Sequence, residues 1–333
     1  MADQRFVPRA PAPTSTALPG PARPDYTGGA PSSGFESAAH RRRRLLRTRP
    51  SEPLLQRLSR QALALFGSDD YPRQLAAAAA GVQTPVTTGR RIVVTGSRGG
   101  SGKTTTAALL ARIYGAMRQE PAAALDLDPG LGTLALRSGA PDAPSLEDIA
   151  QQMRAGEAVT RETLMSVLGA ADYGLWISGS RASQPSVSGP TLSSLMTSIS
   201  RYFPVTVFDC PNGVLASESA WAVSRAHAVV FVAPATVAGL EDLRWYRQLW
   251  EANQDLAGVP LLSVLTEVDG RSPFDPASEA AALSRDGISA MHLPYDRHLA
   301  AGVEIELSLL SPAARLDATQ LASRVLETAN GAG

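Results

Sequence analysis

Lysine and cysteine are almost absent from this 333-residue chain. Of its 31 basic residues, 30 are arginine and one, Lys103, is lysine. The lone cysteine, Cys210, cannot form a disulfide within the chain, so nothing in the sequence points to an oxidising compartment. The opening residues lack the apolar core of a secretory signal, and no stretch reaches the ~18 consecutive apolar residues of a membrane span. We therefore expect a cytoplasmic protein without a transmembrane segment.

The charges cancel overall but are divided unevenly along the chain. Residues 1–89 hold 12 arginines against 6 acidic residues, whereas residues 90–333 hold 19 basic against 25 acidic residues. Residues 1–50 are rich in Pro, Ala and Gly, and six arginines lie between positions 41 and 49. This composition predicts a disordered arm. Its charge fits either a solvated block that keeps the arm extended or a docking segment for an acidic protein surface, a nucleic acid or anionic lipid.

Residues 51–89 are predicted to be a helical lead-in and linker. Leucines between positions 54 and 65 are spaced for an apolar stripe, and the alanines at 76–80 favour helix. The Gly- and Pro-bearing segment 67–72 is expected to separate two helices. Whether these helices pack on the following domain or on another protein is left open by the sequence.

Residues 90–333 alternate short apolar runs with longer helical patterns. Strands are predicted at 92–95, 122–127, 175–178, 205–208, 229–233, 261–266 and 288–293, and helices near 103–118, 189–201, 214–226, 237–254, 275–285 and 312–329. Strands that are apolar throughout and separated by helices indicate an α/β domain, a doubly wound, mostly parallel sheet with helices on both faces. Ligands bind such sheets beyond the carboxyl ends of the strands.

A glycine-rich loop follows the first predicted strand and opens a helix. It reads Gly96-Ser97-Arg98-Gly99-Gly100-Ser101-Gly102-Lys103-Thr104-Thr105. Glycines allow successive backbone N–H groups to surround a phosphate chain, and the helix N-terminus adds its dipole. The lone lysine, Lys103, stands where a P-loop lysine reaches the β- and γ-phosphates, and Thr104 where a hydroxyl ligates Mg²⁺. Ser97 replaces the first glycine of the strict pattern, so an ordinary glycine-rich turn is the alternative.

This loop resembles the deviant Walker A motif of the MinD/ParA family, K-G-G-x-G-K-S/T. In that family the first lysine of the motif reaches across a dimer to the partner's nucleotide, and Arg98 holds its place here. Arginine neutralises phosphate charge as an arginine finger does. The resemblance covers roughly residues 90–310 and implies a P-loop ATPase fold, a nucleotide-dependent homodimer, and catalytic roles for Lys103 and Arg98. It also implies that ATP binds at Gly99, Gly100, Ser101, Gly102, Lys103, Thr104 and Thr105.

Two carboxylates follow the second predicted strand, Asp126 and Asp128. At i and i+2 on a strand end they point the same way, toward the phosphate site, although an acidic turn is the plainer alternative. In the MinD/ParA family this is the D-x-D-P segment of switch I. Carried over, the resemblance places Asp126 near the metal and gives Asp128 the catalytic role of positioning the attacking water.

The predicted strand 205–208 leads into Asp209-Cys210-Pro211-Asn212-Gly213. An apolar strand that ends in aspartate is the expected holder of a Mg²⁺ shell. The run resembles Walker B and switch II, which implies that Asp209 joins Thr104 and Asp126 at the metal and that the Gly213 amide senses the γ-phosphate. Cys210 is expected to be an inert packing thiol, because no base lies at a known spacing from it.

Two later segments resemble the family's adenine pocket, which implies base contacts from Thr266 and Pro294. The four histidines, His40, His227, His292 and His298, show no metal-ligand spacing. The whole layout is similar to the MinD-like ATPases encoded beside type VII secretion systems in actinobacteria. The shared features are the arginine-bearing arm, the lead-in at residues 85–91, the segment 293–301 and the preference for arginine over lysine.

These resemblances imply a Mg-ATP-dependent molecular switch. ATP draws two subunits together, the dimer engages a protein partner with the arm as its docking segment, and slow hydrolysis releases it, in the regulation of type VII secretion. A partition ATPase that binds DNA is the alternative within the family, but residues 90–333 carry net charge −6 (19 basic minus 25 acidic residues). A scaffold that binds ATP without turnover is a second alternative, since Ser97 and Arg98 depart from the catalytic pattern. A metabolic enzyme would need a further substrate pocket.

Overall fold

The computed structural model describes residues 70–128, 130, 132–153, 159–180, 187–270 and 272–331. The predicted arm with its arginine cluster, His40 and the first lead-in helix lie outside these residues. No helix in the described part of the chain is long and apolar enough to cross a bilayer.

Eight strands form one sheet in the order β3-β4-β2-β5-β1-β6-β7-β8. They are β1 (Arg90–Gly96), β2 (Ala122–Asp126), β3 (Gly169–Ala170), β4 (Leu175–Ile177), β5 (Val205–Asn212), β6 (Ala228–Pro234), β7 (Leu261–Thr266) and β8 (Ala290–Leu293). Paired strands in the described ranges run parallel except β3 and β4. Because β1 lies between β5 and β6, the loop that follows it opens at the middle of the sheet's carboxyl edge.

Helices cover both faces of this sheet. They are α1 (Asp70–Val82), α2 (Lys103–Met117), α3 (Leu134–Ser138), α4 (Leu146–Gln152), α5 (Arg161–Ser166), α6 (Gly189–Tyr202), α7 (Ser217–Val223), α8 (Val237–Ala252), α9 (Gln254–Ala257), α10 (Pro276–Arg285), α11 (Arg297–Ala300) and α12 (Pro312–Gly331). Side chains alternate along β1, with Ile92 and Val94 buried against α2 and α12, and Val93 buried in the cluster that includes α6, α8 and α10. The predicted doubly wound α/β fold is confirmed.

The lead-in helix α1 packs against the last helix, α12. Val82 is fully buried, and a Cβ added to Gly81 would meet the side chain of Ser323. Arg118 donates to the carbonyls of Val82 and Thr84 at 2.8 and 2.9 Å, which fixes the end of α1. The part of the lead-in that the structure describes therefore packs on the α/β domain.

Two sequence predictions about element boundaries are wrong in detail. Pro72 was expected in a break, but it lies in the first turn of α1, where a missing N–H removes no helical hydrogen bond. The strand predicted to end at position 208 continues as β5 to Asn212, past Pro211. The neighbouring strand β1 has a register shift between Val94 and Gly96 in its pairing with β5, and this shift accommodates the extension. The extension brings Asp209 and Asn212 to the edge where the glycine-rich loop opens.

The segment between β2 and β4 contains elements that were not predicted. Helices α3, α4 and α5 have 5, 7 and 6 residues, and β3 has 2. Such elements are too short for an apolar period to be recognised. The capping box of Ser145 and Asp148 at the start of α4 shows that local capping, not periodicity, marks this helix.

Candidate nucleotide-binding site

The glycine-rich loop joins β1 to α2 at the carboxyl edge of the sheet. Gly102, directly before α2, has φ +90°, and Gly100 has φ +77°, backbone conformations that residues with a Cβ rarely adopt. Helix α2 begins at Lys103, so the loop brings its backbone to the positive end of a helix dipole. This is the local geometry of an anion site.

A cavity of about 340 Å³ opens beside this loop. It is lined by Gly100, Gly102, Lys103, Thr104, Thr105, Thr133, Arg137, Thr266, Glu267, Val268, Leu293, Pro294, Asp296, Leu299 and Ala300. Five of the predicted loop residues line this cavity together with Thr266 and Pro294, whereas Gly99 and Ser101 do not. The aspartates predicted for the metal and the water, Asp126, Asp128 and Asp209, do not line it either. The volume of the cavity is in the range of small-molecule and cofactor pockets.

Lys103 is held in place at this cavity and is 8% exposed. Its Nζ donates to Oδ1 of Asn212, and at 3.1 Å to the carbonyl of Arg98. Burial lowers the pKa of Lys103, while the charges of Asp209 and Asp128 raise it. The ammonium is therefore oriented by its neighbours before any ligand arrives.

Asp126 is the last residue of β2, and it is paired in register with Asp209 of the neighbouring strand β5. Both are buried, and Oδ2 of Asp126 and both carboxylate oxygens of Asp209 have no hydrogen-bond partner. Burial raises the pKa of Asp209 to about 7, against the lowering effects of the Thr104 hydroxyl and Lys103. Burial and the charge of Asp209 also raise the pKa of Asp126 well above its usual value.

Burying a carboxylate oxygen without a partner costs free energy of folding unless a cation binds it. The described residues contain no group of three or more His, Cys, Asp or Glu side chains arranged to hold a metal. Mg²⁺ at a nucleotide site uses one or two carboxylates and takes further oxygens from phosphates and water. Asp126, Asp209 and the adjacent Thr104 hydroxyl therefore fit Mg²⁺ that arrives with a nucleotide.

Asp128 lies next to this pair. Its backbone N–H donates to Oδ1 of Asp126 at 3.0 Å, and its own Oδ1 accepts from the N–H of Gly130 at 3.0 Å. The Ser180 hydroxyl donates to the carbonyls of Asp128 and Gly130. The turn therefore keeps Asp128 at the site while one carboxylate oxygen is used within the turn.

Gly213 is also close to the loop, but its amide is engaged. It has φ +83°, and its N–H donates to the carbonyl of Gly96 at 2.8 Å. A γ-phosphate would have to replace this bond before the amide could sense it.

The two unusual loop residues bind one carboxylate. The Ser97 hydroxyl donates to Asp242 at 2.6 Å, and the Arg98 guanidinium bonds both oxygens of Asp242, at 2.6 and 2.9 Å. Asp242 lies on α8, which the sequence predicted as a helix without assigning a function to that residue. An acidic residue on a half-exposed helix face carries no sequence signal for such a contact.

At the other end of the cavity, Thr266 supports the loop. Its hydroxyl donates to the carbonyl of Ser101 at 2.6 Å, with Ala233 as a second acceptor at 3.2 Å. A Cβ on Gly102 would lie 3.5 Å from the Thr266 methyl carbon. Thr266 thus lines the cavity while its hydroxyl is directed at the loop backbone, and its predicted contact with a base stays a prediction.

Glu267 was not singled out in the sequence, yet it lines the same end of the cavity. Its Oε2 accepts from the backbone N–H of Tyr295 at 3.2 Å and lies 3.2 Å from Nε2 of His292. These contacts tie the end of β7 to the loop after β8, where Pro294 lies. Asn212, which accepts from Lys103, and Arg137, which lines the cavity, were also not assigned to the site from the sequence.

Cys210, His227 and His298 lie away from the cavity, and their contacts are those of residues that support the fold. Cys210 is buried, and burial raises the pKa of its thiol well above the ordinary value. His227 accepts through Nδ1 from the N–H of Arg91 at 3.0 Å, and His298 accepts through Nε2 from the N–H of Glu306 at 2.9 Å. None of these three lines the cavity.

A protein-family model described as "CobQ/CobB/MinD/ParA nucleotide binding domain" matches residues 92–300 of the chain. Among known proteins, the ESX-1 secretion-associated protein EspI of Mycobacterium tuberculosis (strain ATCC 25618 / H37Rv) is 28% identical over 261 residues. That alignment covers 73% of this chain and 37% of EspI, so the chain spans little more than a third of the relative's length. The match is consistent with the resemblance to secretion-associated MinD-like proteins.

Solved structures share the fold. A ParA family ATPase from Chlorobium tepidum TLS superposes with a TM-score of 0.57 at 15% identity, covering 69% of this chain and 96% of that chain. The cell division ATPase MinD of Pyrococcus furiosus superposes with a TM-score of 0.54 at 22% identity, covering 72% and 99% of the two chains. At these identities the likeness extends to the fold alone.

Proposed function

This chain belongs to the CobQ/CobB/MinD/ParA nucleotide-binding family, and on that premise we propose that it is a Mg-ATP-dependent molecular-switch ATPase of the cytoplasm. One observation carries the proposal. A single edge of the sheet holds an oriented lysine, Lys103, beside two buried aspartates, and Oδ2 of Asp126 and both carboxylate oxygens of Asp209 lack hydrogen-bond partners there. A polyphosphate supplies the negative charge that the lysine ammonium binds, and its metal ion supplies the cation that the unpaired carboxylate oxygens bind.

In this proposal, Lys103 and the loop from Gly99 to Thr105 bind the phosphates. Thr104, Asp126 and Asp209 would hold Mg²⁺, which would supply neutralisation of the phosphate charge. Asp128 orients a water whose oxygen attacks the γ-phosphorus. The bond from that phosphorus to the β–γ bridging oxygen breaks, ADP leaves, and the water's proton passes to the phosphate product or solvent. Pro294 and Thr266 border the space for the base.

In this proposal the switch consists of two residues, Gly213 and Arg98, that change their hydrogen-bond partners when ATP binds. The Gly213 amide would exchange the Gly96 carbonyl for a γ-phosphate oxygen, and Arg98 would leave Asp242 for the nucleotide of a second subunit. Both exchanges depend on ATP rather than ADP, so dimer formation would report the nucleotide state.

The process under control would be protein secretion of the type VII class, with the dimer binding a protein partner through the arm. The relative EspI, described as secretion-associated, supports this direction. The described domain lacks the net positive charge of a non-specific DNA binder, because residues 90–333 carry 19 basic and 25 acidic residues.

A non-hydrolysing ATP-binding scaffold is a second candidate. The observation that favours it is the ion pair of Arg98 with Asp242, which holds the residue in the family's signature position within its own subunit. In that case ATP would bind without turnover or dimer formation.

Light scattering coupled to size exclusion tests these functions, with and without Mg-ATP, together with phosphate release. The full chain is compared with Asp128→Ala, Arg98→Ala and the control Asp286→Ala, an exposed residue outside the cavity. We expect Asp128→Ala to form a stable dimer in ATP with little phosphate release, and Arg98→Ala to remain monomeric. If every sample binds ATP but stays monomeric and releases no phosphate, the protein is the non-hydrolysing scaffold and the switch proposal fails. If the full chain binds no ATP, both proposals fail.

A further inference from the structure

Three large hydrophobic side chains on and beside helix α8 are exposed to solvent. They are Leu215, Val237 and Trp245, at 65%, 63% and 55%, and together they are called the α8 patch. Leu215 follows β5 by three residues and Val237 follows β6 by three, and these two strands lie on either side of β1. Because the three strands are parallel, both residues follow the carboxyl edge of the sheet, where the loop after β1 carries Arg98.

Contacts within the subunit join the patch to the ion pair of Arg98 with Asp242. Trp245 comes three residues after Asp242 on α8, so the two side chains are neighbours on one side of the helix. A Cβ on Gly213 would lie 3.8 Å from the hydroxyl oxygen of Tyr246, which brings the turn after β5 against the same helix. The patch therefore adjoins Arg98, the residue that the proposed switch sends to a second subunit.

Trp245 is exposed, yet packed aromatic rings hold it. Its ring meets Tyr246 edge-on with centroids 4.8 Å apart, and Tyr246 packs on the buried Phe231 of β6 with centroids 4.3 Å apart. An aromatic side chain that is already held in this way loses little further entropy when a partner covers it. Trp and Arg are also enriched among the residues that dominate the binding energy of protein interfaces. The patch thus has the composition and the rigidity of a protein–protein contact.

The charges beside the patch favour a second copy of this chain as its occupant. Arg98 pairs with Asp242, and Arg244 pairs with Glu241, so each of these cations has an anion within its own subunit. Helix α8 together with Arg98 carries three basic and three acidic residues. A face with balanced charges does not repel a copy of itself, whereas a nucleic acid requires a basic surface.

We infer that the α8 patch is an apolar contact between two copies in the ATP-dependent dimer, an inference that rests on the proposed switch. In a two-fold dimer each copy contributes the same surface. Covering the patch removes water from around Arg98, and a charge-assisted bond to phosphate is stronger where water does not screen it. The patch thus gives an arginine that is exposed in the single subunit a dry surrounding in the dimer.

Light scattering on a dilution series of the full chain in Mg-ATP tests this inference, for wild type, Trp245→Ala, Trp245→Phe and Leu215→Ser. We expect the concentration at half-dimerisation to rise about tenfold or more for Trp245→Ala. The rise should be smaller for Leu215→Ser, and Trp245→Phe should recover most of the loss. ATP affinity below the dimerisation range and the melting temperature without nucleotide should stay at wild-type values, because both side chains are exposed and neither lines the cavity.

Tyr173→Asn is the matched control. Tyr173 is 67% exposed, but it precedes β4 and so lies at the opposite edge of the sheet. Asparagine tolerates the φ of +62° at this position. The control should dimerise as wild type does.

Dimers of Trp245→Ala and Leu215→Ser that match wild type would overturn the inference and leave the patch to a different protein. A lower melting temperature together with weaker ATP binding would overturn it too, because Trp245 would then only support α8. If wild type binds ATP but stays monomeric, or binds no ATP, the proposed switch fails and the inference fails with it. That result differs from a wild-type dimer that tolerates both changes, in which the inference alone is wrong.

Discussion

The guanidinium of Arg98 forms a two-point ion pair with Asp242 of helix α8, at 2.6 Å from Nε and 2.9 Å from Nη2. Ser97 donates to the same carboxylate at 2.6 Å. Both loop positions that depart from the usual P-loop patterns therefore bind one residue of a distant helix. The Arg98 side chain is 55% exposed. Exposed ion pairs contribute little to stability because water screens them, so phosphates of a second subunit can compete for this arginine.

Replacing Asp242 by asparagine should make ATP-dependent dimers form more readily. The change removes the charge that holds Arg98 within its own subunit and keeps an oxygen for Ser97. We expect the protein concentration at half-dimerisation to fall about two- to fivefold, in line with the modest energy of an exposed ion pair. Light scattering on a dilution series in Mg-ATP measures it.

Glu241→Gln is the matched control for this variant. Glu241 neighbours Asp242 on α8 and pairs with the exposed Arg244. Weaker dimers of Asp242→Asn would contradict the prediction, because Asp242 would then hold Arg98 in its working position.

The hydroxyl of Thr266 donates to the backbone of the glycine-rich loop, and Thr266→Val should reveal how much this bond contributes to nucleotide binding. Valine keeps the shape but leaves the buried Ser101 carbonyl without the hydroxyl that donates to it at 2.6 Å. We expect affinity for ATP and for GTP to fall together, by about 3- to 10-fold. Competition binding measures both nucleotides.

Ser263→Ala, on the same strand but outside the cavity, controls for a general weakening of β7. A loss for ATP that spares GTP would instead show that Thr266 contacts the base.

The layers of the fold follow from patterns that are visible in the chain. The apolar runs of β1, β6 and β7 are buried on both faces, as a parallel sheet requires, and the helices between them are long enough to show their period. Helices α3 to α5 are not visible in this way, since each has at most two turns.

The site was predictable where one stretch of chain supplies the chemistry. The loop from Gly99 to Thr105 is continuous, and glycines at fixed spacing before Lys103 identify it. Asp242 and Arg137 were missed because their contacts span long stretches of sequence: 144 residues from Arg98 and 162 residues to Leu299. Such partners depend on how α8 and α11 pack, which no local pattern records.

His227, at the start of β6, should make the protein less stable in mild acid. Burial, and then the charges of Arg91 and Arg90, lower the pKa of His227 from 6.5 to about 4. The unfolded chain takes up this proton near pH 6.5, whereas the folded protein resists it until about pH 4. The stabilising contribution is therefore complete above pH 6.5 and is lost progressively as the pH falls toward 4.

Urea unfolding of wild type and His227→Asn between pH 7.5 and 4.5 tests this prediction. Asparagine does not titrate, and its carbonyl can accept from the N–H of Arg91 in place of Nδ1. Asp209, whose pKa is raised to about 7, has the opposite effect, because the folded protein takes up its proton first as the pH falls. Both proteins contain Asp209, so the difference between their curves isolates His227. We expect wild type to lose about 1 kcal/mol more than the variant over this range, after allowance for the solvent-exposed part of the ring. Parallel curves would show that His227 takes up its proton equally in the folded and unfolded protein.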